Sequence, residues 1–288
     1  MAFRKRREAL RSILSGSACI RPGSVYDAIS IRIAQDLGFE LGMFGGSVAS
    51  LAVLGDPDIA LITLTELAEQ MRRMSRAAAL PVLVDADHGY GNALNVRRTV
   101  EELETAGAAG LTIEDTLLPQ AFGQNATQLI PLEEGVGKMK AALSGRSDPT
   151  LVIIGRTGAA SITSLDDAIS RAKAYEATGV DALFFTGIKT RAELEAIAAA
   201  TTLPIVLGGA PEEMSDIGYL IGQRVRIALQ GHAPFAAATQ AVYETLKALR
   251  DGQPPKNLKG LASSELTGRV TRDADVKTRG GEFLGLKR

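Results

Sequence analysis

A (β/α)8 barrel of the TIM type is the fold this sequence predicts, and three observations predict it. Eight short apolar runs, rich in Val, Ile and Leu, are separated almost throughout by stretches with helical spacing. Side chains capable of chemistry recur just after those runs, where such a barrel gathers its loops. The chain has 288 residues, 45% of them hydrophobic, which suits one large α/β domain with its own core. A doubly wound sheet is the competing arrangement. Gly89, Gly91 and their surroundings do not form G-x-G-x-x-G, and no G-x-x-x-x-G-K-[ST] loop is present.

Residues 3–17 read as an amphipathic helix ahead of the barrel, with Leu10, Ile13 and Leu14 on its apolar side. A first strand is expected at 18–21, then a turn at Pro22-Gly23-Ser24 with Ser24 as a helix cap. Helical spacing through Ala28, Ile31, Ile33, Ala34 and Leu37 covers 25–37 until Gly38 stops it. Strand two spans 39–44 and ends in Gly45-Gly46-Ser47. Backbone amides and a hydroxyl there can hold a carboxylate or phosphate; the alternative is a plain tight turn. A helix at 65–79 leads to strand three at 81–85, whose end carries Asp85 and, two residues on, Asp87. Paired carboxylates at a strand mouth can hold Mg²⁺ or Mn²⁺ directly or through water. They can also cap the next helix, here at 94–106 and ended by Gly107.

Strand four at 110–113 delivers Glu114 and Asp115 to its C-terminal end. Residues 116–128 have mixed polarity, contain Pro119 and Gly123, and are long enough for a lid. A helix at 132–143 precedes strand five at 150–155, which ends in Arg156-Thr157. Then come a helix at 166–178, strand six at 182–185, a helix at 191–200, and strand seven at 204–207 with Gly208-Gly209 after it. A weak helix at 212–221, strand eight at 225–230, Gly231-His232 and a helix at 235–249 complete the pattern. The catalytic domain is therefore expected over 1–250. Asp251-Gly252-Gln253-Pro254-Pro255 punctuates its end. Residues 251–288 are a polar tail, either flexible or packed on a neighbouring subunit across an active-site mouth.

Composition narrows the function. With 32 basic and 33 acidic residues the net charge is -1, so nothing points to nucleic acid or an anionic membrane. Cys19 is the only cysteine, which leaves no internal disulfide and favours a reducing, cytoplasmic setting. The basic N-terminus lacks an apolar core, so no signal peptide is expected. No apolar run approaches the roughly 18 residues of a membrane span.

Ser47, Asp85, Asp87, Glu114, Arg156 and His232 each follow or end a predicted strand. Carboxylates hold a hard cation through oxygen, an arginine binds a carboxylate in bidentate fashion, and glycine amides take a carboxylate or enolate oxygen. Together they fit a 2-oxo acid chelated to Mg²⁺, with an enolate forming as a bond at C3 breaks. Each residue also has a structural alternative: Asp87 or Glu114 as a cap, Arg156 as an ion-pair partner of Glu114. His88, beside Asp87, either supports the site or ties the turn together.

These motifs carry a resemblance. Gly45 to Ser50 (GGSVAS), Asp85 to Asn92 (DADHGYGN), Thr112 to Thr116 (TIEDT) and Ile154 to Thr157 (IGRT) are similar to the isocitrate lyase and phosphoenolpyruvate mutase superfamily over about residues 8–248. The chain most resembles the soluble, biotin-free bacterial oxaloacetate decarboxylases. That resemblance implies Mg²⁺-dependent decarboxylation of oxaloacetate, or a close 2-oxo diacid, to pyruvate and CO₂. It implies Asp85 as direct metal ligand and Asp58, Asp87 and Glu114 as holders of the metal's water. Gly45, Gly46, Ser47, Arg156 and His232 would bind substrate, with Asp85, Arg156 and His232 catalytic. It further implies a homotetramer, a dimer of dimers that exchanges the final barrel helix. Superfamily lyases acting on isocitrate or methylisocitrate carry a Lys-(Lys/Arg)-Cys-Gly-His segment on the mobile loop, and residues 116–128 contain no Cys, Lys or His, which argues against those two activities. Gly158 stands where relatives commonly carry a side chain such as Asn, and Gly208-Gly209-Ala210 where an aromatic hydroxyl is expected after strand seven. A lyase for a substituted malate or related diacid, or a P–C bond enzyme, is the alternative activity.

Overall fold

The computed structural model describes residues 2–286. It begins with helix α1 (Ala2–Ser15), followed by β1 (Gly23–Ser24), α2 (Ala28–Asp36), β2 (Gly42–Phe44) and α3 (Gly46–Val53). Next come α4 (Leu64–Ala77), β3 (Val82–Asp85), α5 (Ala93–Ala106), β4 (Gly110–Glu114), α6 (Leu132–Gly145), β5 (Val152–Thr157) and α7 (Ala159–Ile162). The unit continues through α8 (Leu165–Glu176), β6 (Ala182–Thr186), α9 (Arg191–Ala200), β7 (Ile205–Gly208), α10 (Ile217–Gly222) and β8 (Val225–Leu229). One compact unit runs as far as His232 and a second begins at Ala233.

All eight strands are parallel and hydrogen-bonded in sequence order from β1 to β8. Each parallel step needs a crossover, and helices supply it. Beyond β8, Ile20 forms a parallel bridge with Ile227, its N–H donating to Arg226 O at 2.9 Å while Ala228 N–H donates to Ile20 O at 2.9 Å. The first strand is thus later and shorter than expected. Pro22 has no N–H to give a ladder, so the chain pairs with β8 at Ile20 and with β2 only at Gly23–Ser24. Ser24 lies in that strand rather than capping α2. Asp27 is the cap, accepting from Ile29 and Ser30 N–H in a capping box with Ser30.

Alternation along the strands explains how the site is built. Met43, Leu83, Ile154, Phe184, Val206 and Ile227 belong to one buried apolar cluster with Leu10 and Leu14 of α1. Residues two further along a strand share that face. They are Gly45, Asp85, Arg156, Thr186, Gly208 and Leu229, so the face turns polar as each strand ends. Leu10 is fully buried, worth roughly 2–3 kcal/mol of apolar transfer. It fits because a Cβ on Gly110 would come within 2.8 Å of its Cδ2.

Two helices of this unit were not expected. The α3 helix starts directly at Gly46, where a tight turn was one reading, and α7 fills the connection after β5. The expected helix at 212–221 is instead a 3-10 turn at Glu212–Met214 followed by α10.

The second unit holds α11 (Ala233–Arg250), α12 (Ser264–Thr271) and α13 (Asp273–Leu284). No residue of α11 is buried, and Val242, Tyr243, Leu246 and Leu249 are exposed. The polar tail contains helices that no strong apolar periodicity announces.

Candidate active site

The strand ends enclose a cavity of about 210 Å³. Gly45, Ser47, Asp85, Arg156 and His232 line it, together with Ser24, Met43, Phe184, Thr186, Gly208, Gly209, Leu229 and Gln230. Five of the expected site residues therefore share one wall system although they lie at or just beyond the ends of β2, β3, β5 and β8, whereas Gly46, Asp58, Asp87 and Glu114 are not among its lining.

Asp85 ends β3 and is buried. Its Oδ1 accepts from Thr112 Oγ1 at 2.8 Å, and its Oδ2 accepts from Arg156 Nη1. Thr112 sits beside Asp85 in the register of β3 and β4. Arg156 also places Nε 3.0 Å from Glu114 Oε2, an ion pair without the alignment of a directed hydrogen bond. Register brings the two together, since Glu114 pairs with Arg156 across β4 and β5. The guanidinium lies over the Phe184 ring, 5.1 Å from its centroid. Arg156 is thus held by two carboxylates and an aromatic face.

Asp87 lies just past β3 with φ at +46°, in the left-handed region that favours glycine. Its backbone carbonyl accepts from Glu114 N–H at 2.8 Å, which fixes the bend. A Cβ on Gly46 would fall 2.1 Å from Asp87 Oδ1, so only glycine leaves room for that carboxylate. His88 supports the turn through its backbone: its carbonyl accepts from the buried Lys138 Nζ at 2.8 Å. Its ring Nδ1 and the Tyr90 hydroxyl are buried without hydrogen-bond partners. Burial and the Lys138 charge push the His88 imidazolium down to about 4.

Electrostatics ties Asp58 to the cluster. Burial and the Asp85 charge raise its carboxyl pKa, while Arg156 and His232 pull it back. Asp87 is raised well above the usual carboxylate range by burial and by Asp85, Glu114 and Asp58. Burial lifts Glu114 to about 7 even though Arg156 opposes the shift. Asp85 and Glu114 contact the one guanidinium, and Asp58 and Asp87 add their charge to the cluster, so carboxylates outnumber the positive groups that answer them. An all-oxygen donor set of this kind fits a hard divalent cation. Among the described residues no three His, Cys, Asp or Glu side chains form a ready-made cage. Both Asp85 oxygens are already engaged by Thr112 and Arg156.

His232 follows β8. Its Nδ1 lies 2.8 Å from Ser24 Oγ, and a Cβ on Gly45 would come within 2.7 Å of its Cε1 and Nε2. Burial lowers its pKa, and Asp85 and Asp58 oppose that shift. Sequence reasoning missed Ser24, Thr112 and Phe184 as parts of the site. Alternation could have found Phe184, two residues before the strand-six end. Nothing local marks Ser24 or Thr112, whose roles come from neighbouring strands.

Gly158 and Gly209 have different reasons to be small. A Cβ on Gly158 would meet Ile162 at 3.0 Å and Thr186 Oγ1 at 3.1 Å, whereas Gly209, with φ at +67°, faces open space. The 116–128 segment is anchored at its base. Thr116 and Leu129 form an antiparallel bridge, and Leu117 N–H donates to Gln128 O at 2.8 Å. Phe122 at its tip is fully exposed.

Parallel strands whose ends bring together a carboxylate cluster, an arginine and a glycine-started helix define an α/β protein with a charged site at its strand ends. The model of the phosphoenolpyruvate phosphomutase family matches residues 10–250. An oxaloacetate decarboxylase of Bradyrhizobium diazoefficiens is 84% identical over 288 residues, all of both chains. Among solved structures, oxaloacetate acetylhydrolase in complex with the inhibitor 3,3-difluorooxalacetate superposes with a TM-score of 0.86 at 25% identity, covering 97% of each chain. Phosphonopyruvate hydrolase in complex with oxalate and Mg²⁺ superposes at 0.84 with 27% identity, covering 97% of this chain and 99% of that one. The chain belongs to the isocitrate lyase and phosphoenolpyruvate mutase superfamily and, within it, to the oxaloacetate decarboxylase family.

Proposed function

We propose that the cavity decarboxylates oxaloacetate to pyruvate and CO₂. The observation that carries this reading is end-to-end identity of 84% with a curated oxaloacetate decarboxylase, in a chain whose cavity holds Asp85, Arg156 and His232 on its walls. Mg²⁺, or Mn²⁺ in its place, would supply positive charge to stabilise the enolate left by loss of CO₂. The phosphonopyruvate hydrolase structure, solved with oxalate and Mg²⁺, supports that choice of metal. Asp85 would be the direct ligand, its carboxylate shifting from Arg156 toward the metal, and Asp58, Asp87 and Glu114 would hold the metal's water.

Gly45, Gly46 and Ser47 take the substrate carboxylate at the start of α3. Gly45 makes no side-chain cap bond, which leaves the leading amides of an eight-residue helix for an anion. Arg156 and His232 orient the rest of the dianion. Met43, Phe184 and Leu229 on the same walls exclude water from the departing carboxylate and favour its loss as neutral CO₂. No loop acid is required, because water can protonate C3.

The Ile20–Ile227 bridge supports closure of the sheet into a (β/α)8 barrel. We extend the catalytic domain through α11 to residue 250, with 251–288 as a tail that is either flexible or packed on a neighbouring subunit. The exposed Val242, Tyr243, Leu246 and Leu249 support exchange of α11 within a homotetramer. No helix among the described residues is long and apolar enough to cross a membrane, and we place the enzyme in the cytoplasm.

The test is pyruvate formation from oxaloacetate in a coupled assay, with the background from free Mg²⁺ subtracted. Asp85→Asn should lower kcat/KM by at least about 100-fold, the scale of losing a principal electrostatic group. An unchanged rate in a folded variant would remove Asp85 from its assigned role.

A further inference from the structure

We infer that Ser24 is a positioning residue: its hydroxyl donates to Nδ1 of His232 and holds the imidazole in the tautomer that carries its proton on Nε2. The choice of donor, and with it the catalytic consequence, rests on the decarboxylase reading above.

Ser24 Oγ lies 2.8 Å from His232 Nδ1. The two residues are 208 positions apart in sequence, and their meeting follows from the sheet. Ser24 ends β1, whose partner is β2, and His232 leaves β8, which is bridged to Ile20 just before β1. The ring is gripped from a second side. A Cβ at Gly45 would stand 2.7 Å from both Cε1 and Nε2, so the backbone at Gly45 fits closely against the edge that Ser24 does not hold. Ser24, Gly45 and His232 all line the cavity.

A neutral imidazole has one donor and one acceptor nitrogen, and the bond made by one nitrogen sets the role of the other. If Ser24 accepted from Nδ1–H, Nε2 would turn a lone pair toward Gly45, where the reading above places the substrate carboxylate. A dianionic 2-oxo acid would meet that lone pair unfavourably. With Ser24 as donor, Nε2–H is offered to oxygen atoms on which negative charge grows. The hydroxyl is free to act this way, since it can donate or accept by rotation.

The chain has only two histidines, which makes the test direct. Untagged full-length protein is labelled with [15N]histidine, loaded with Mg²⁺, and its imidazole nitrogens are read by magic-angle-spinning NMR. The expected wild-type spectrum shows His232 protonated at Nε2 alone. In Ser24→Ala it becomes a mixture of tautomers, while the His88 resonances stay in place and report an intact fold. Ser24→Thr, which keeps the hydroxyl, should restore the wild-type pattern. Decarboxylation in Ser24→Ala should fall roughly tenfold, the scale of one hydrogen bond converted to rate, and Ser24→Thr should recover it.

Protonation of wild-type His232 at Nδ1 alone, or at both nitrogens, would overturn the inference. So would an unchanged tautomer in Ser24→Ala. The spectra need no turnover. A chain that fails to decarboxylate oxaloacetate but shows the predicted tautomers leaves Ser24 in its role and defeats only the proposed activity.

Discussion

Gly46 shows how narrowly a single residue can be constrained by the charge beside it. A methyl there would stand 2.1 Å from Asp87 Oδ1, closer than any real contact, and Asp87 cannot retreat easily. Its φ of +46° and the bond from Glu114 N–H to its carbonyl fix its backbone. Gly46→Ala should therefore displace the Asp87 carboxylate and raise the Mg²⁺ concentration for half-maximal activity by about tenfold or more, the range seen when support around a metal is lost. A metal titration of steady-state activity measures this, and an unchanged midpoint would show that Asp87 takes no part in holding the metal's water. Single residues were unevenly legible in sequence. Asp85, Arg156 and His232 could be read because each stands beside a strand end. Ser24 could not, because a serine after Pro-Gly looks like a cap and only a bridge across the sheet gives it a histidine.

At the scale of elements, the 116–128 segment is a loop with a firm root. Asp115 is fully buried, and its Oδ2 accepts from Arg171 Nη1 at 3.0 Å and from the Tyr175 hydroxyl at 2.7 Å. Arg171 Nη2 also donates to Ile130 O at 3.2 Å, and Ile130 N–H donates to Asp115 O at 2.9 Å. One arginine of α8 thus joins the residue entering the loop to the residue leaving it. Arg171→Met would leave a buried carboxylate without its counter-charge, a change of about 3–5 kcal/mol. It should speed proteolytic cutting within 116–128 by at least about tenfold. Limited proteolysis with the site of cutting mapped tests this, and equal rates would mean that the loop is held by its own bridge alone. Element boundaries were readable where apolar runs met Gly, as at Gly107. The helix at Gly46–Val53 was hidden because Gly45 makes no side-chain cap bond to signal it. The tail helices were hidden because their charged and small residues lack a strong apolar stripe.

For the molecule as a whole, eight apolar runs separated by helical spacing made the architecture legible, because parallel strands are covered on both faces. The same face that buries Leu83, Ile154 and Phe184 continues into Asp85, Arg156 and Thr186, so one period-two pattern builds both the core and the site. A shared scaffold does not by itself choose the bond that breaks. Oxaloacetate acetylhydrolase has the same fold at 25% identity. Cleavage between C2 and C3 of oxaloacetate would yield oxalate and acetate, whereas decarboxylation breaks C3–C4. The measurement that separates them follows [4-13C]oxaloacetate by 13C NMR with full-length protein and Mg²⁺. The label is expected to leave as CO₂ and bicarbonate at a rate proportional to enzyme, to stay in place when EDTA is added, and to leave again when Mg²⁺ is restored in excess. Label retained in acetate, or release no faster than Mg²⁺ alone produces, would contradict it.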